Sequence, residues 1–201
     1  VEQRIAAMPG VTAVGAIQLE PFTAGNWAFP YLAEGQTPVA GAPLPSANFR
    51  VVTPGYFETV DMPLLAGRRF GEMDVEGGAG AMILNETLAR ALWPDADPIG
   101  REVRIFGNVP FQVVGVVGDV RQHALDRDPS PEMYVAHAQW DLASMTIMVE
   151  AVGGQPSLAR AIRAAVAEAD ADIPVSEARP MDDLLGESLA RRRFFASLLG
   201  G

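Results

Sequence analysis

The stretch VVGVVGDVRQ, Val113 to Gln122, sets two glycines and an acid at the end of a β-branched run. A nucleotide-binding fold presents its first strand in this order. Such a site needs a helix after the glycines, with its N-terminal amides facing the pyrophosphate. Here Asp119 stands where phosphate would sit and repels it, while Pro129 and Pro131 leave about ten residues, too few for a crossover helix. Gly115 and Gly118 are better read as a bulge or a close backbone approach inside a buried strand. A second set, His123, Asp126, Asp128, Glu132 and His137, offers metal-ligating side chains. Two histidines fourteen apart with proline between them match no fixed ligand spacing, and a solvated loop is the favoured reading. The carboxylates Glu72, Asp74 and Glu76, and Asp95 with Asp97, fall in glycine- or proline-rich turns where acids are commonplace. There is no G-x-S-x-G elbow, and without lysine a phosphate-binding loop is impossible. These residues read as a protein that is not an enzyme and carries no cofactor or metal. Trp27, Phe29 and Tyr31, spaced by two as in a short strand, either cover a core edge or face a ligand or partner.

The composition narrows the class further. With 201 residues and 49% hydrophobic content, the chain can build one large core or two small ones. A net charge of -10, with every basic residue an arginine, argues against a phosphate-backbone partner and so against nucleic acid. The absence of cysteine removes disulfides and thiolate chemistry. No window of about 18 apolar residues is available to span a bilayer, and VEQRIAAMPG is no signal peptide. A start without Met and an end on RRRFFASLLGG read as a piece of something longer.

The elements that would position these residues follow from periodicity and punctuation. Val1, Ile5 and Met8 share a helical face that Pro9-Gly10 ends, and a strand follows over Val11 to Leu19. A strand from Ala47 to Val52 meets Thr53-Pro54, the N-cap and N1 pair of a short helix carrying Tyr56, Phe57 and Val60, which Asp61-Met62-Pro63 breaks. Gly71 to Gly80 reads as a boundary. Beyond it come a buried strand, Ala81 to Leu84, and a helix that Asn85 can cap and Pro94 closes. Strands Glu102 to Phe106 and Phe111 to Val117 follow, joined by the loop Gly107 to Pro110, and then the strand MYVAHAQ. Ser144 to Ala151 is apolar on both faces and is expected to be a central strand. Leu158, Ile162, Ala165, Val166 and Ala169 mark a helix, DIPVSEA a short strand, and Pro180 the start of a last helix through Met181, Leu184, Leu185, Leu189, Phe195 and Leu199. Residues 81–139 are expected to form an inserted module whose strands 102–106 and 111–117 lie in a sheet apart from 144–151. A split βαβ half also calls for a strand before the first helix, so an open edge is expected beside 144–151.

Four segments in order, RVVTPGYFETVDMPLLAGRRF, ILNETLARALWPDADPIGREVRI, PFQVVGVVGDVRQ and SPEMYVAHAQ, resemble the extracytoplasmic core domain of MacB-type ABC transporter permeases. RRRFFASLLG resembles the start of the second transmembrane helix of an FtsX-like permease, and the wording is closest to the acidobacterial duplicated orphan permeases. The resemblance implies an α+β fold. A porter subdomain of βαβ-type halves would come from residues 1–75 and 143–190, a β-rich, sabre-like subdomain would be inserted at 76–142, and a stalk or transmembrane helix would start at 191–201. It implies a non-catalytic domain on the extracytoplasmic, periplasmic side of the bacterial inner membrane, coupling cytoplasmic ATP hydrolysis to outer-side conformational change. The partners implied are a cytoplasmic ATP-binding subunit or domain, the membrane through flanking helices, and a second permease copy or a periplasmic protein. Pro54, Gly55, Tyr56, Phe57, Asn85, Pro98 and Gly100 match the family pattern as structural positions. Arg191, Arg192, Arg193, Phe194 and Phe195 would be membrane-proximal on the outer side, against a positive-inside tendency that weakens for segments beyond about 60 residues. The rival reading is a free-standing ligand- or protein-binding module that uses the Trp27 to Tyr31 aromatic loop.

Overall fold

One hydrogen-bonded sheet carries a separate hydrophobic cluster on each face, so its inner strands β3, β5 and β8 are buried on both sides. The computed structural model describes residues 1–19, 26–119, 129–140, 142, 144–152, 156–170, 172, 174–175, 178–181 and 183–184. Its strands are β1 (Val11–Ile17), β2 (Ala28–Ala33), β3 (Ser46–Val52), β4 (Leu64–Gly67), β5 (Ala81–Asn85), β6 (Glu102–Ile105), β7 (Val109–Val117), β8 (Glu132–Ala136) and β9 (Thr146–Ala151). Its helices are α1 (Glu2–Ala6), α2 (Tyr56–Thr59), α3 (Glu86–Leu92) and α4 (Pro156–Ala169). The fold is α+β, as the resemblance implies. No helix among the described residues is long and apolar enough to cross a membrane.

Six strands, in the order β2-β6-β7-β5-β8-β3, close on themselves because the two ends of β2 pair different neighbours. Ala28 to Pro30 pair with β3, and Tyr31 to Ala33 pair with β6. One face of this ring encloses Tyr31, Phe49, Val51, Met82, Leu84, Val103, Ile105, Val113, Met133 and Val135, with Leu88 and Leu92 of α3 packed against them. The other face carries Val52, Ile83, Val114, Val117 and Tyr134 under Tyr56 and Phe57 of α2. Outside the ring β1 and β9 form an antiparallel pair, and α1 and α4 cover one side of it through Ile5, Val14, Ile162 and Ala165.

The glycines of VVGVVGDVRQ do what a buried strand requires of them. Met82 faces Val113 but Ile83 faces Gly115, so Val114 is an extra residue in β7. Val113 and Val116 accordingly point into the ring, and Val114 and Val117 point out. A Cβ on Gly115 would lie 2.3 Å from the Arg68 carbonyl oxygen. Gly67, at φ +71, has the same relation to the Val114 oxygen, and this close approach lies where β4 pairs with β7, Gly67 opposite Gly115.

Several expectations change. β6 and β7 stand in the same sheet as β9, connected through β5, β8, β3 and β1, and not in a sheet apart. β9 is a terminal strand paired with β1, not a central one. It reads as apolar on both faces because helices cover one side and the Ile17–Met148 layer the other, and hydropathy reports faces, not edges. Thr53 does not cap α2. Its hydroxyl accepts from the Ala16 amide at 2.8 Å, and the helix begins after Gly55 with no side-chain cap. The β6–β7 loop is shorter than expected, turning at Phe106 (φ 52) and Gly107 (φ 84), so that Val109 and Pro110 already belong to β7. β4 is an element that periodicity does not announce. Of the strand expected at 172–178, the described residues Asp172, Pro174, Val175 and Ala178 belong to no strand; its other residues, most of the last helix and the module's loop at 120–128 lie outside the described residues.

Candidate functional site

The β1–β9 layer meets the ring at a narrow joint, and the joint is built from polar groups. Of β1, only Ile17 pairs with β3, opposite Val52. The pairing is extended by three further bonds: Thr53 N–H to the Ala16 oxygen at 3.0 Å, Gln18 N–H to the Val51 oxygen at 3.1 Å, and the Thr53 hydroxyl already described. As the backbone leaves, the Gln18 side chain takes its place. Its amide donates to the Phe49 oxygen at 2.8 Å and accepts from the Val51 N–H at 2.7 Å, so two β3 groups are satisfied by a side chain acting as a strand. Beneath the joint α2 lies directly on the β1 backbone. A Cβ on Gly15 would lie 2.3 Å from Tyr56 Cα, and one on Gly55 would lie 2.0 Å from the Val14 oxygen. VGAI and TPGYF are therefore two halves of one backbone-to-backbone contact.

Beside Gln18 a buried ion pair ties the parallel strands β3 and β8. Arg50 and Glu132, 2% and 3% exposed, are joined at 3.3 Å from Nη2 to Oε1. Arg50 Nη1 also donates to Asn26 Oδ1 at 3.1 Å and to the Phe49 oxygen at 3.4 Å. Asn48 donates to Glu132 Oε1, and Asn26 donates to Asn48. On the other carboxylate oxygen, Glu132 accepts the Tyr134 hydroxyl at 2.5 Å. Burial pushes the Tyr134 phenol well above its ordinary value, and the Glu132 charge adds to the shift, so the phenol keeps its proton and stays a donor. Pairs of this kind, once desolvated, fix arrangement more than they add stability.

A second polar node closes the same end of the ring. Asn85 caps α3 by accepting the Leu88 N–H at 3.0 Å and also accepts the Glu132 N–H at 2.9 Å. Its amide donates to Asp119 at 2.6 Å and to the Ser130 oxygen at 2.9 Å, using the full capacity of the side chain. Asp119 in turn accepts from the Thr87 amide and hydroxyl. The carboxylate that argued against phosphate is thus the anion at the start of α3.

Of the metal set, Glu132 is buried in the ion pair and not part of a solvated loop, and His137 lies in a short 3-10 turn (His137–Gln139). His123, Asp126 and Asp128 fall outside the described residues, as do Arg191 to Phe195. Among the described residues no group of His, Cys, Asp or Glu gathers in a way that could hold a metal ion. Asp74, expected in an ordinary turn, is 3% exposed and held by Arg68 at 2.6 and 2.9 Å. The three aromatics separate. Tyr31 lies in the ring core, Phe29 packs on Phe49 and Phe106 with centroids at 5.3 and 4.5 Å, and Trp27 remains 37% exposed. Pattern reading missed Gln18, Arg50 and Tyr134. The available signal was the charge itself: an arginine inside FRVV, in a strand buried on both faces, must be paired.

The chain covers 87% of its length on the crystal structure of the periplasmic region of MacB from Actinobacillus actinomycetemcomitans, which it covers by 82%, at a TM-score of 0.56 and 16% identity. Against the extracellular domain of the ABC-type transporter YknZ from Gram-positive bacteria the TM-score is 0.54, with 17% identity and coverage of 81% of this chain and 80% of that one. In sequence, the uncharacterized ABC transporter permease YvrN of Bacillus subtilis is 25% identical over 94% of this chain and 49% of its own length. The macrolide export ATP-binding/permease protein MacB of Marinobacter nauticus is 31% identical over 54% of this chain and 15% of its own length. The chain therefore spans about half, or much less, of these curated relatives. Residues 2–172 match the model of the MacB-like periplasmic core domain, and with the ring, the flanking layer and the ordered motifs in agreement, the chain belongs to that family, whose members are parts of ABC transporter permeases and not catalytic units.

Proposed function

We propose that this chain is the extracytoplasmic domain of an ABC transporter permease of the export or mechanotransmission type, which couples cytoplasmic ATP hydrolysis to an outer-side conformational change and catalyses nothing itself. The family match over residues 2–172 supports this reading most. In it the domain stands on the periplasmic side of the bacterial inner membrane, with Arg191 to Phe195 leading into the bilayer and a cytoplasmic ATP-binding subunit or domain supplying the work. A second permease copy or a periplasmic protein is its outer partner, and of Trp27, Phe29 and Tyr31 the exposed Trp27 is the one placed to contribute to that contact. The division into subdomains belongs to the same reading. Residues 76–142 supply four strands of the ring, and their host, 1–75 with 143–190, supplies β2, β3 and the β1–β9 layer. Membership of the acidobacterial orphan permeases rests on the wording of the four motifs alone. The test is to delete residues 2–172 from the intact permease in its membrane. The reading expects insertion and ATP hydrolysis by the partner to persist while coupled export is lost. Export at the original rate would refute it.

A further inference from the structure

The joint and the cap of α3 meet at Glu132, which belongs to both. Its backbone N–H is held by Asn85 at 2.9 Å, and its carboxylate is held by Arg50 and Asn48 at 3.3 Å and by Tyr134 at 2.5 Å. From the layer side the chain of bonds runs from the Gln18 amide to the Phe49 oxygen, which Arg50 shares, then to Glu132. From there it passes to Asn85, to Asp119 and to Thr87 at the start of α3. Asn26, two residues before β2, enters through Arg50 and Asn48. Gln18, Asn48, Arg50, Asn85 and Glu132 are all buried, so the bonds among them are made at low dielectric, where breaking one leaves its partners short of a bond that water does not readily replace.

We propose that these bonds form one relay, centred on Glu132, which couples the end of β1 in the layer to the start of α3 on the ring. A displacement of the layer that pulls Gln18 from β3 then reaches Asp119 through the Arg50–Glu132 pair, and whatever grips the ring at Asp119 is felt at Gln18. The relay gives the coupling reading its route through the domain, but its existence is independent of any transporter. If the relay holds and export survives deletion of the domain, only the functional reading fails.

The test is a double-mutant cycle in the purified 201-residue chain. Urea unfolding constants are measured for Gln18→Ala, Asp119→Ala and the pair together. As control, Asp119→Ala is combined with Gln139→Ala, because Gln139 bonds the Ala79 and Ala81 backbone and shares no partner with the relay. The relay predicts that the Gln18–Asp119 double variant departs from the product of the single effects by about threefold or more, while the control pair multiplies within about twofold. Multiplication within about twofold in both pairs overturns it. Should Gln18→Ala not fold, Asn26→Ala takes its place against Asp119→Ala with the same two outcomes, since Asn26 is exposed at the network's edge and its truncation is milder.

Discussion

At the scale of single residues, three side chains carry sharp expectations. Asp61 sits at φ 50 just after α2, where Met62 N–H bonds the Phe57 oxygen at 2.8 Å and Asp61 N–H bonds Glu58. This is the double bond of a Schellman end, with Met62 and Phe57 as its apolar contact. The left-handed position favours glycine, so Asp61→Gly should stabilise the chain by about 0.5–1 kcal/mol, read as a higher urea midpoint. Asp74 behaves in the opposite sense. The Arg68 guanidinium hydrogen-bonded to it, with help from the Gly71 amide, holds its carboxyl below the ordinary value despite burial. A depressed folded-state pKa means stability present in full above the unfolded value and lost as pH falls through the folded one. Stability should therefore drop below about pH 4, and in Asp74→Asn that part of the pH dependence should vanish along with the ion pair. Tyr134→Phe removes one donor from a buried carboxylate and should cost about 1–3 kcal/mol with the fold intact by circular dichroism. Asn85 as a helix cap was legible from ILNET. That it also accepts Glu132 N–H was not, because the partner is forty-seven residues away.

Among the elements, the contact of α2 with β1 is the most constrained. Gly15 and Gly55 are needed for space, not for unusual dihedrals, because each would drive a Cβ into backbone that cannot move aside. Gly15→Ala should cost at least the upper part of the 1–3 kcal/mol range usual for overpacking, roughly 3 kcal/mol. Gly71→Ala, which meets nothing within 4 Å, should cost far less. Sequence patterns gave α1, β1, β3, β5, α3 and α4 near their observed ends, since each has a period or a punctuating residue of its own. They misplaced what depends on a neighbour. Thr53 looked like a cap, but the Ala16 amide beside it claims the hydroxyl. β4 carries no alternation because its residues are largely exposed and its partner is the bulged end of β7. The centrality of β9 could not be read either, since an edge strand covered on both faces has the composition of a central one.

For the whole molecule, ring closure is the property least visible in the sequence. It depends on β2 dividing its pairing between β3 and β6, and nothing in AFPYLA marks that division. The family, by contrast, was legible from four ordered motifs, which map onto the joint (TPGYF), the cap of α3 (ILNET), the bulge in β7 (VVGVVGDV) and the start of β8 (SPEMYV). The account's central claim is that the domain moves when ATP is used on the far side of the membrane. These 201 residues hold no cysteine, so with any cysteine elsewhere in the intact permease replaced, Arg104→Cys on β6 and Glu150→Cys on β9, both exposed, give single labels. In the intact permease with its ATP-binding partner, reconstituted in vesicles, energy transfer from each label to fluorescent lipid reports its height above the bilayer. The account predicts that adding ATP changes the transfer from at least one of the two positions, and that a hydrolysis-deficient partner shows ATP-bound and ATP-free levels without cycling. Identical transfer from both labels with and without ATP would contradict it.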